Sequence, residues 1–207
     1  MISYSQASQD FFARYILRHS TGASKKYLEV GANDPCAINN TYALELEGWS
    51  GVSIDIDAQF ADAYQQTRKN PFIVADATKI DWDTFLHQYE YTNGIDYLSF
   101  DVDDATIPAF DLFPFEKVRC RAITIEHDHY RVGPFVRDHL RARLQELGYI
   151  LVCSDVVMEN HGCFEDWWVH DSIIDGASAE AIKKISCDGV HHRVIAEIML
   201  EVMLITS

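Results

Sequence analysis

The stretch Tyr27-Leu-Glu-Val-Gly-Ala-Asn-Asp34 decides the fold of this chain, together with Ser53-Ile-Asp-Ile-Asp57. The first stretch is typical of a short buried strand that ends in a carboxylate, a glycine and a turn. The second is typical of the next strand, and its carboxylates follow Gly31 by about two dozen residues. A glycine lets backbone approach a ligand closely, and a carboxylate accepts hydrogen bonds from ribose hydroxyls. The pairing therefore predicts a site for a nucleoside-containing cofactor.

Short apolar runs alternate with amphipathic segments along the whole chain, which predicts β-α-β units and an α/β fold with a largely parallel sheet. We predict seven strands, at residues 26–30, 51–55, 72–75, 95–100, 122–125, 149–153 and 165–170. Helices are expected at residues 5–18, 39–47, 58–68, 81–89, 134–147 and 177–185. The apolar tail, residues 194–205, predicts a packed terminal helix or a strand pair. We expect one domain, residues 1–207, with short additions at both ends.

Charge and cysteine content narrow the classes of partner. A formal net charge of −15 argues against bare nucleic acid or an anionic membrane surface, since both reward clustered Lys and Arg. Small neutral or cationic molecules fit better. The five cysteines form no C-x-x-C pair, and no basic stretch leads into an apolar run at the amino terminus. We therefore expect reduced thiols in a cytoplasmic protein, and the apolar tail suggests a homo-oligomer.

Acidic residues close the first five predicted strands, and ligands of open parallel sheets bind at that edge. One such acid could simply cap the following helix, but five in register make capping a poor explanation. They are Glu29, Asp55, Asp76, Asp101 and Glu126. We assign Asp55 to a ribose diol, because a carboxylate can accept from both hydroxyls. Asp76 lies where an adenine amino group would be met.

The first turn argues against a dinucleotide. A pyrophosphate cradle needs G-x-G-x-x-G, whereas only Gly31 is present, with Asn33 and Pro35 where further glycines would stand. S-adenosylmethionine has no phosphate, and Glu29 or Asp34 could meet its ammonium group. Asn33 tolerates a left-handed backbone and can replace a glycine in the turn. We therefore predict S-adenosylmethionine as the cofactor.

Two polar clusters follow the fourth and fifth strands and are expected to face each other across the cleft. In one hypothesis His127 or His129 is the general base, because imidazole titrates near the working pH. In the other, Asp101 and a group from the fifth-strand loop hold a divalent ion that lowers the pKa of the acceptor. Oxygen ligands would suit Mg²⁺ or Mn²⁺. The candidate metal ligands are Asp101, Asp103 and Asp128.

Further motifs carry a resemblance: Ser5-Gln-Ala-Ser-Gln-Asp10, Glu29-Val-Gly-Ala-Asn-Asp34, and Asn40-Thr-Tyr-Ala-Leu-Glu45 with Gly48-Trp-Ser-Gly51. Over residues 5 to about 128, and more weakly at Glu165-Asp-Trp-Trp168, the chain resembles the FkbM-like family of class I methyltransferases. The resemblance implies a Rossmann-like, seven-stranded, mostly parallel sheet with helices on both faces, and S-adenosylmethionine as methyl donor. It implies an oxygen acceptor on a sugar or similar metabolite.

The same resemblance places Glu29, Gly31, Asn33 and Asp55 at the cofactor and Asp101 at the catalytic edge. By analogy to the fold, residues 1–20 would form a helical lid and residues 172–207 a C-terminal extension. Two positions depart from the family pattern, because Pro35 and Asp104 stand where glycines are common.

Three functions follow as hypotheses. The first is a methyltransferase that acts on a hydroxyl of a small polar metabolite, such as a sugar or glycoside. The second is a noncatalytic nucleoside-binding or assembly subunit that keeps the fold. The third, a nicotinamide-dependent oxidoreductase, needs a phosphate cradle that the first turn lacks.

Overall fold

The computed structural model describes residues 2–159 and 161–205. Its strands are β1 Lys26–Val30, β2 Ser50–Asp55, β3 Phe72–Val74, β4 Ile95–Phe100, β5 Cys120–Glu126, β6 Tyr149–Met158, β7 Gly162–His170 and β8 Cys187–Asp188. They form one sheet in the order β3-β2-β1-β4-β5-β7-β6-β8. β1 to β5 pair in parallel, whereas β7 is antiparallel to both β5 and β6. The predicted mostly parallel α/β sheet is confirmed.

The predicted number of strands, seven, is wrong, because the sheet has eight. The additional strand, β8, has two residues, Cys187 and Asp188, and pairs in parallel with β6. A two-residue strand is too short to leave an alternating pattern in the sequence. The pairing of β8 with β6 in the folded chain is what identifies it as a strand.

The helices are α1 Gln9–Arg18, α2 Tyr42–Leu46, α3 Ala61–Thr67, α4 Trp82–Gln88, α5 Thr106–Leu112, α6 His129–Val132, α7 Pro134–Glu146, α8 Gly176–Ile185 and α9 His192–Ile205. The tail therefore takes the helical of its two predicted forms. α5 and α6 were not predicted, since both are short and α5 contains Pro108. Within the described residues, no helix combines the length and apolar composition that a bilayer span requires.

Helices cover both faces of the sheet and give it two hydrophobic cores. Successive side chains of a strand point to opposite faces, so neighbours in sequence enter different cores. Trp167 packs with the residues of α1, α8 and α9, whereas Trp168 packs with those of α4, α5 and α7. Both tryptophans have no exposed surface. Because both faces are covered, most residues of β1, β4 and β5 are buried whichever face they point to.

A buried polar network lies beneath the connection between β1 and α2. Glu29 is 2% exposed and accepts hydrogen bonds from the hydroxyls of Thr41 and Ser53, each at 2.8 Å. The backbone N–H of Asn40 donates to its other oxygen at 3.1 Å. Burial raises the pKa of Glu29, and the nearby Arg68 and these donors oppose the shift. The carboxyl group therefore ties the β1–α2 connection to the sheet.

Arg68, at the end of α3, completes this network. Its Nε donates to Glu45 at 2.6 Å, and its Nη1 donates to the carbonyl of Pro35 at 2.9 Å. Its Nη2 donates to the hydroxyls of Tyr27 and Thr41 at 2.9 and 3.0 Å. The guanidinium group thus joins β1, α2, α3 and the intervening loop in one fixed arrangement.

We expect Arg68→Met to lower the free energy of unfolding by about 3–5 kcal/mol, because it leaves the buried Glu45 and Glu29 carboxyls without their cation. Urea denaturation followed by circular dichroism measures this. The control is Arg143→Met, which breaks the exposed pair with Glu146. It is expected to change stability by less than about 0.5 kcal/mol. Equal effects of the two variants would contradict the importance of the network.

Candidate active site

A cleft of about 430 Å³ opens at the carboxyl edge of the parallel strands. The turns that follow β1 to β5 all contribute to it, as the parallel arrangement requires. Most of the residues predicted for the cofactor and the catalytic edge line its wall, together with Glu126: Gly31, Asn33, Asp55, Asp76, Asp101 and Asp103. The structure therefore brings these residues to one site.

Asp55, at the end of β2, is oriented by backbone donors. Its Oδ2 accepts from the N–H of Asn33 at 2.7 Å, and its Oδ1 accepts from the N–H of Asp57 at 2.8 Å. Asn33 has a φ of 49°, the left-handed conformation that the sequence allowed for. Each carboxylate oxygen has a second lone pair, so both can still accept from a ligand. The two hydroxyls of a ribose match this arrangement.

Asp76 lies on the cleft wall after β3. Its Oδ1 accepts from the N–H and the hydroxyl of Thr78, at 2.9 and 2.6 Å, and its Oδ2 lies 2.8 Å from Nζ of Lys79. The hydrogen bond with Lys79, followed by those with Thr78, lowers the pKa of Asp76 to about 2. The group is therefore a charged acceptor at neutral pH. It also caps the short turn that follows, so capping and ligand binding are compatible here.

Glu29 and Gly31 lie where they were predicted in sequence but interact differently. Glu29 is held in the buried network described above and does not line the cleft. Gly31 lines the cleft with a φ of 85°, and a Cβ there would stand 1.4 Å from the carbonyl oxygen of Asp101. The glycine is therefore required by the approach of β1 to the end of β4. A cofactor contact of either residue stays a prediction.

Asp101 and Glu126 end the adjacent strands β4 and β5 and both line the cleft. Burial raises the pKa of Asp101, and the charges of Asp103 and Asp128 raise it further, against a hydrogen bond with Glu126. Burial raises the pKa of Glu126 above its usual range, and repulsion from Asp101 adds to the shift. These shifts favour the protonated form of Glu126.

The nearest arginine does not neutralise this pair. Nη2 of Arg131 lies 2.6 Å from Asp128, and Nη1 lies 3.0 Å from Asp104. Among the described residues, neither Asp101 nor Glu126 has an ion pair with a lysine or arginine. A cationic ligand in the cleft would therefore meet an uncompensated carboxylate.

His127 is buried behind the cleft rather than exposed within it. Its side chain is 0% exposed, its Nε2 lies 3.4 Å from Oδ1 of Asp166, and its Nδ1 accepts from the N–H of His129 at 3.2 Å. Arg141 binds the same Asp166 at 2.7 Å. The imidazole therefore holds the loop after β5 against β7. A base role for His127 or His129 stays a prediction, and His129 does not line the cleft.

The predicted metal ligands do not converge. In residues 2–159 and 161–205, Asp101, Asp103 and Asp128 do not bring three ligand oxygens within 4.8 Å of one another. Asp128 is also occupied by Arg131. A metal role for these three residues stays a prediction, and no step proposed below depends on it.

A smaller cavity of about 100 Å³ adjoins the cleft and shares Asp103 and Glu126 with it. Thr106, His127 and Arg131 contribute polar groups to its remaining wall, whose exposed surface is mainly apolar. Val132 and Val136 close one side. This cavity lies next to the carboxyl pair and is separate from Asp55, so the two ends of the site have different chemistry.

Sequence reasoning missed the apolar part of the cleft. Ile38, Ile56 and Phe60 line it, and the first two side chains are 60% and 70% exposed. Ile56 directly follows Asp55, and an apolar residue between two acids at a strand end could have been noticed. Gln6 also reaches the cleft from the segment before α1. That contact depends on tertiary structure and leaves no local signal.

The fold is similar to that of several solved proteins. A putative O-methyltransferase from Klebsiella pneumoniae has a TM-score of 0.57 at 14% identity, covering 82% of this chain and 81% of that chain. A magnesium protoporphyrin IX methyltransferase from Synechocystis PCC 6803, solved with bound SAM, has a TM-score of 0.53 at 11% identity, covering 80% and 79%. A putative hemolysin from Streptococcus thermophilus has a TM-score of 0.51 at 12% identity, covering 98% and 77%.

Comparison with known sequences gives a match to a family model and none to a curated protein. No curated protein sequence matches the chain significantly. The model of the methyltransferase FkbM domain matches residues 25–151, from β1 into β6. This segment contains each strand end that lines the cleft and more than half of the 207 residues. The chain therefore belongs to the FkbM methyltransferase domain family.

Proposed function

We propose that this protein transfers a methyl group from S-adenosylmethionine to a hydroxyl of a small polar acceptor, such as a sugar or glycoside. The observation that carries the proposal is the cleft at the carboxyl edge of β1 to β5. Four acids line this cleft: Asp55, Asp76, Asp101 and Glu126. The FkbM domain match over the same strands supports the reaction class.

The polar groups of the cleft favour one orientation of the cofactor. Asp55 would accept from the ribose hydroxyls, and Asp76 would accept from the amino group of adenine. Ile38 and Ile56 offer apolar surface to the flat base between them. This leaves the sulfonium toward Asp101 and Glu126, where negative charge without a basic partner favours a cation.

The proposed step is an in-line displacement. The acceptor oxygen attacks the methyl carbon while the carbon–sulfur bond breaks, and its electron pair stays on sulfur as a neutral thioether. The hydroxyl proton passes to the Asp101 carboxylate, whose raised pKa makes it a better base than an ordinary aspartate. The protonated Glu126 donates a hydrogen bond and keeps the pair at a single negative charge. The main contributions of the protein are alignment and exclusion of water.

The smaller cavity would hold the acceptor. Its wall combines polar side chains with apolar surface from Val132 and Val136, and its small volume favours a single ring or a glycoside end. The net charge of −15 disfavours phosphorylated or polyanionic acceptors.

For Asp55→Asn we expect S-adenosylhomocysteine to bind about 10–100-fold more weakly, because hydrogen bonds to a charged acceptor are lost. Isothermal titration calorimetry measures the affinity. The control Asp62→Asn changes an exposed acid in α3, outside the cleft, and should leave it unchanged. The assignment of Asp55 is overturned if the two variants bind alike.

For Asp101→Asn we expect kcat to fall by about 10²–10⁴-fold while S-adenosylhomocysteine still binds. Methyl transfer from labelled donor to a panel of sugars and glycosides measures it. Asp83→Asn, which breaks an exposed pair with Lys117, is the control. An active Asp101→Asn enzyme would exclude this residue as the base.

The pH profile of kcat provides a further test. The base works deprotonated, so activity should be lost as pH falls through the pKa of Asp101. Because that pKa is raised, the loss begins above the ordinary aspartate range of about 3.9. A profile flat down to pH of about 4 in the folded enzyme would contradict the assignment. If the cofactor binds and every acceptor stays inert, the noncatalytic binding function takes precedence.

A further inference from the structure

Far from the cleft in sequence, the chain gathers two histidines and a glutamate. Glu159 follows the end of β6, His191 precedes α9, and His192 is the first residue of that helix. Nε2 of His191 lies 3.4 Å from Oε1 of Glu159, and Nε2 of His192 lies 3.5 Å from Oε2. One ligand atom from each residue lies within 4.8 Å of the other two. The sequence did not connect these adjacent histidines with Glu159, which lies some thirty residues away.

The arrangement is held by groups other than the three ligands. His192 is 7% exposed, and its Nδ1 lies 3.0 Å from the hydroxyl of Ser8, which leaves Nε2 directed toward Glu159. The N–H of Val157 donates to the carbonyl of Val190 at 3.0 Å, and this pairing keeps the end of β6 beside the start of α9. A hydrogen bond on the second ring nitrogen is what orients histidine ligands in metal sites.

In a second cluster of this kind, an arginine of the protein already neutralises the carboxylates. His127, Asp155 and Asp166 also bring three ligand atoms within 4.8 Å. There Arg141 lies 3.0 Å from Asp155 and 2.7 Å from Asp166, with its side chain only 22% exposed. That guanidinium group is fixed among the carboxylates and excludes a cation.

At the cluster of Glu159, His191 and His192, the arginine that pairs with the carboxylate is exposed and can be displaced. Nη2 of Arg193 lies 2.9 Å from Glu159, but the Arg193 side chain is 71% exposed and can turn into solvent. The N–H of Arg193 also donates to Nδ1 of His191 at 3.3 Å, a long contact that gives way when Nε2 of this half-exposed ring binds a metal. The protein therefore needs only surface rearrangements to accept an ion.

We propose that Glu159, His191 and His192 bind a divalent transition metal, with Zn²⁺ as the expected ion. Zn²⁺ takes imidazole nitrogen and carboxylate oxygen at about 2.0–2.2 Å and accepts three protein ligands with water in the fourth position. The two imidazole nitrogens lie 3.4 and 3.5 Å from different oxygens of the Glu159 carboxylate, so both histidines face the group that would complete the site. The three residues do not line the cleft, so the proposed ion lies outside the site of methyl transfer.

The bound ion would fasten three separate parts of the fold. Glu159 belongs to the β6–β7 turn, His191 precedes α9 and His192 begins it, and Ser8 directly precedes α1. Gln6, two residues before Ser8, lines the cofactor cleft. The site therefore lies where the C-terminal extension supports the segment that reaches the cleft.

The test uses the full chain, stripped of metal with a chelator and titrated with Zn²⁺ alone. We expect one equivalent to bind by calorimetry, and Tm to rise with Zn²⁺ concentration. Glu159→Gln, an exposed change that keeps the shape of the side chain, should weaken binding at least about tenfold. His191→Gln should do the same. The control His87→Gln alters an exposed histidine of α4 that belongs to neither cluster, and should bind as the unaltered protein does.

Co²⁺ adds a readout that stability alone would not move. Binding at the site should give visible d–d absorption bands that are absent from Glu159→Gln and present in His87→Gln. The proposal is overturned if no ion binds, or if Glu159→Gln and His191→Gln bind Zn²⁺ as tightly as the unaltered protein. S-adenosylhomocysteine affinity, measured in parallel, belongs to the other site, so failure of one proposal is distinguishable from failure of the other.

Discussion

The site depends on a buried hydrogen-bond network that joins Glu29, Arg68 and the loop around Pro35 and Asn39. A carboxyl group and a guanidinium group in a low-dielectric interior must satisfy their hydrogen bonds within the protein. They do so by binding β1, α2 and α3 and the carbonyl of Pro35. The loop that forms the floor of the cleft therefore has one conformation. Pro35, which lacks an N–H, is accommodated because its carbonyl is the group that Arg68 needs.

The five acids that end the parallel strands share a position and differ in chemistry. Glu29 makes its hydrogen bonds within the buried network, and two backbone N–H groups orient Asp55. Lys79 favours the charged form of Asp76. Among the described residues, Asp101 and Glu126 have no lysine or arginine partner, and burial raises the pKa of both. What separates these roles is the local supply of donors, which differs from one turn to the next. One edge of the sheet thus holds carboxyl groups in different electrostatic environments side by side.

Both ends of the chain pack on one face of the sheet. α1, α8 and α9 share a core with Trp167, while α4, α5 and α7 fill the other face around Trp168. The ends therefore meet each other as well as the sheet, as the contact between Ser8 and His192 shows. Through this packing the N-terminal segment reaches the cleft with Gln6, and the C-terminal helix lies directly behind it.

The sequence by itself determined the alternation of strands and helices, the edge where the acids gather and the left-handed turn at Asn33. These follow from periodicity and local backbone preference, which depend on near neighbours only. It could not indicate that Glu29 turns away from the cleft, that Gly31 is required by the carbonyl of Asp101, or that Glu159 meets two histidines. The two-residue strand β8 belongs to the same group. Each depends on atoms brought together from distant parts of the chain, and only tertiary packing decides which ones meet.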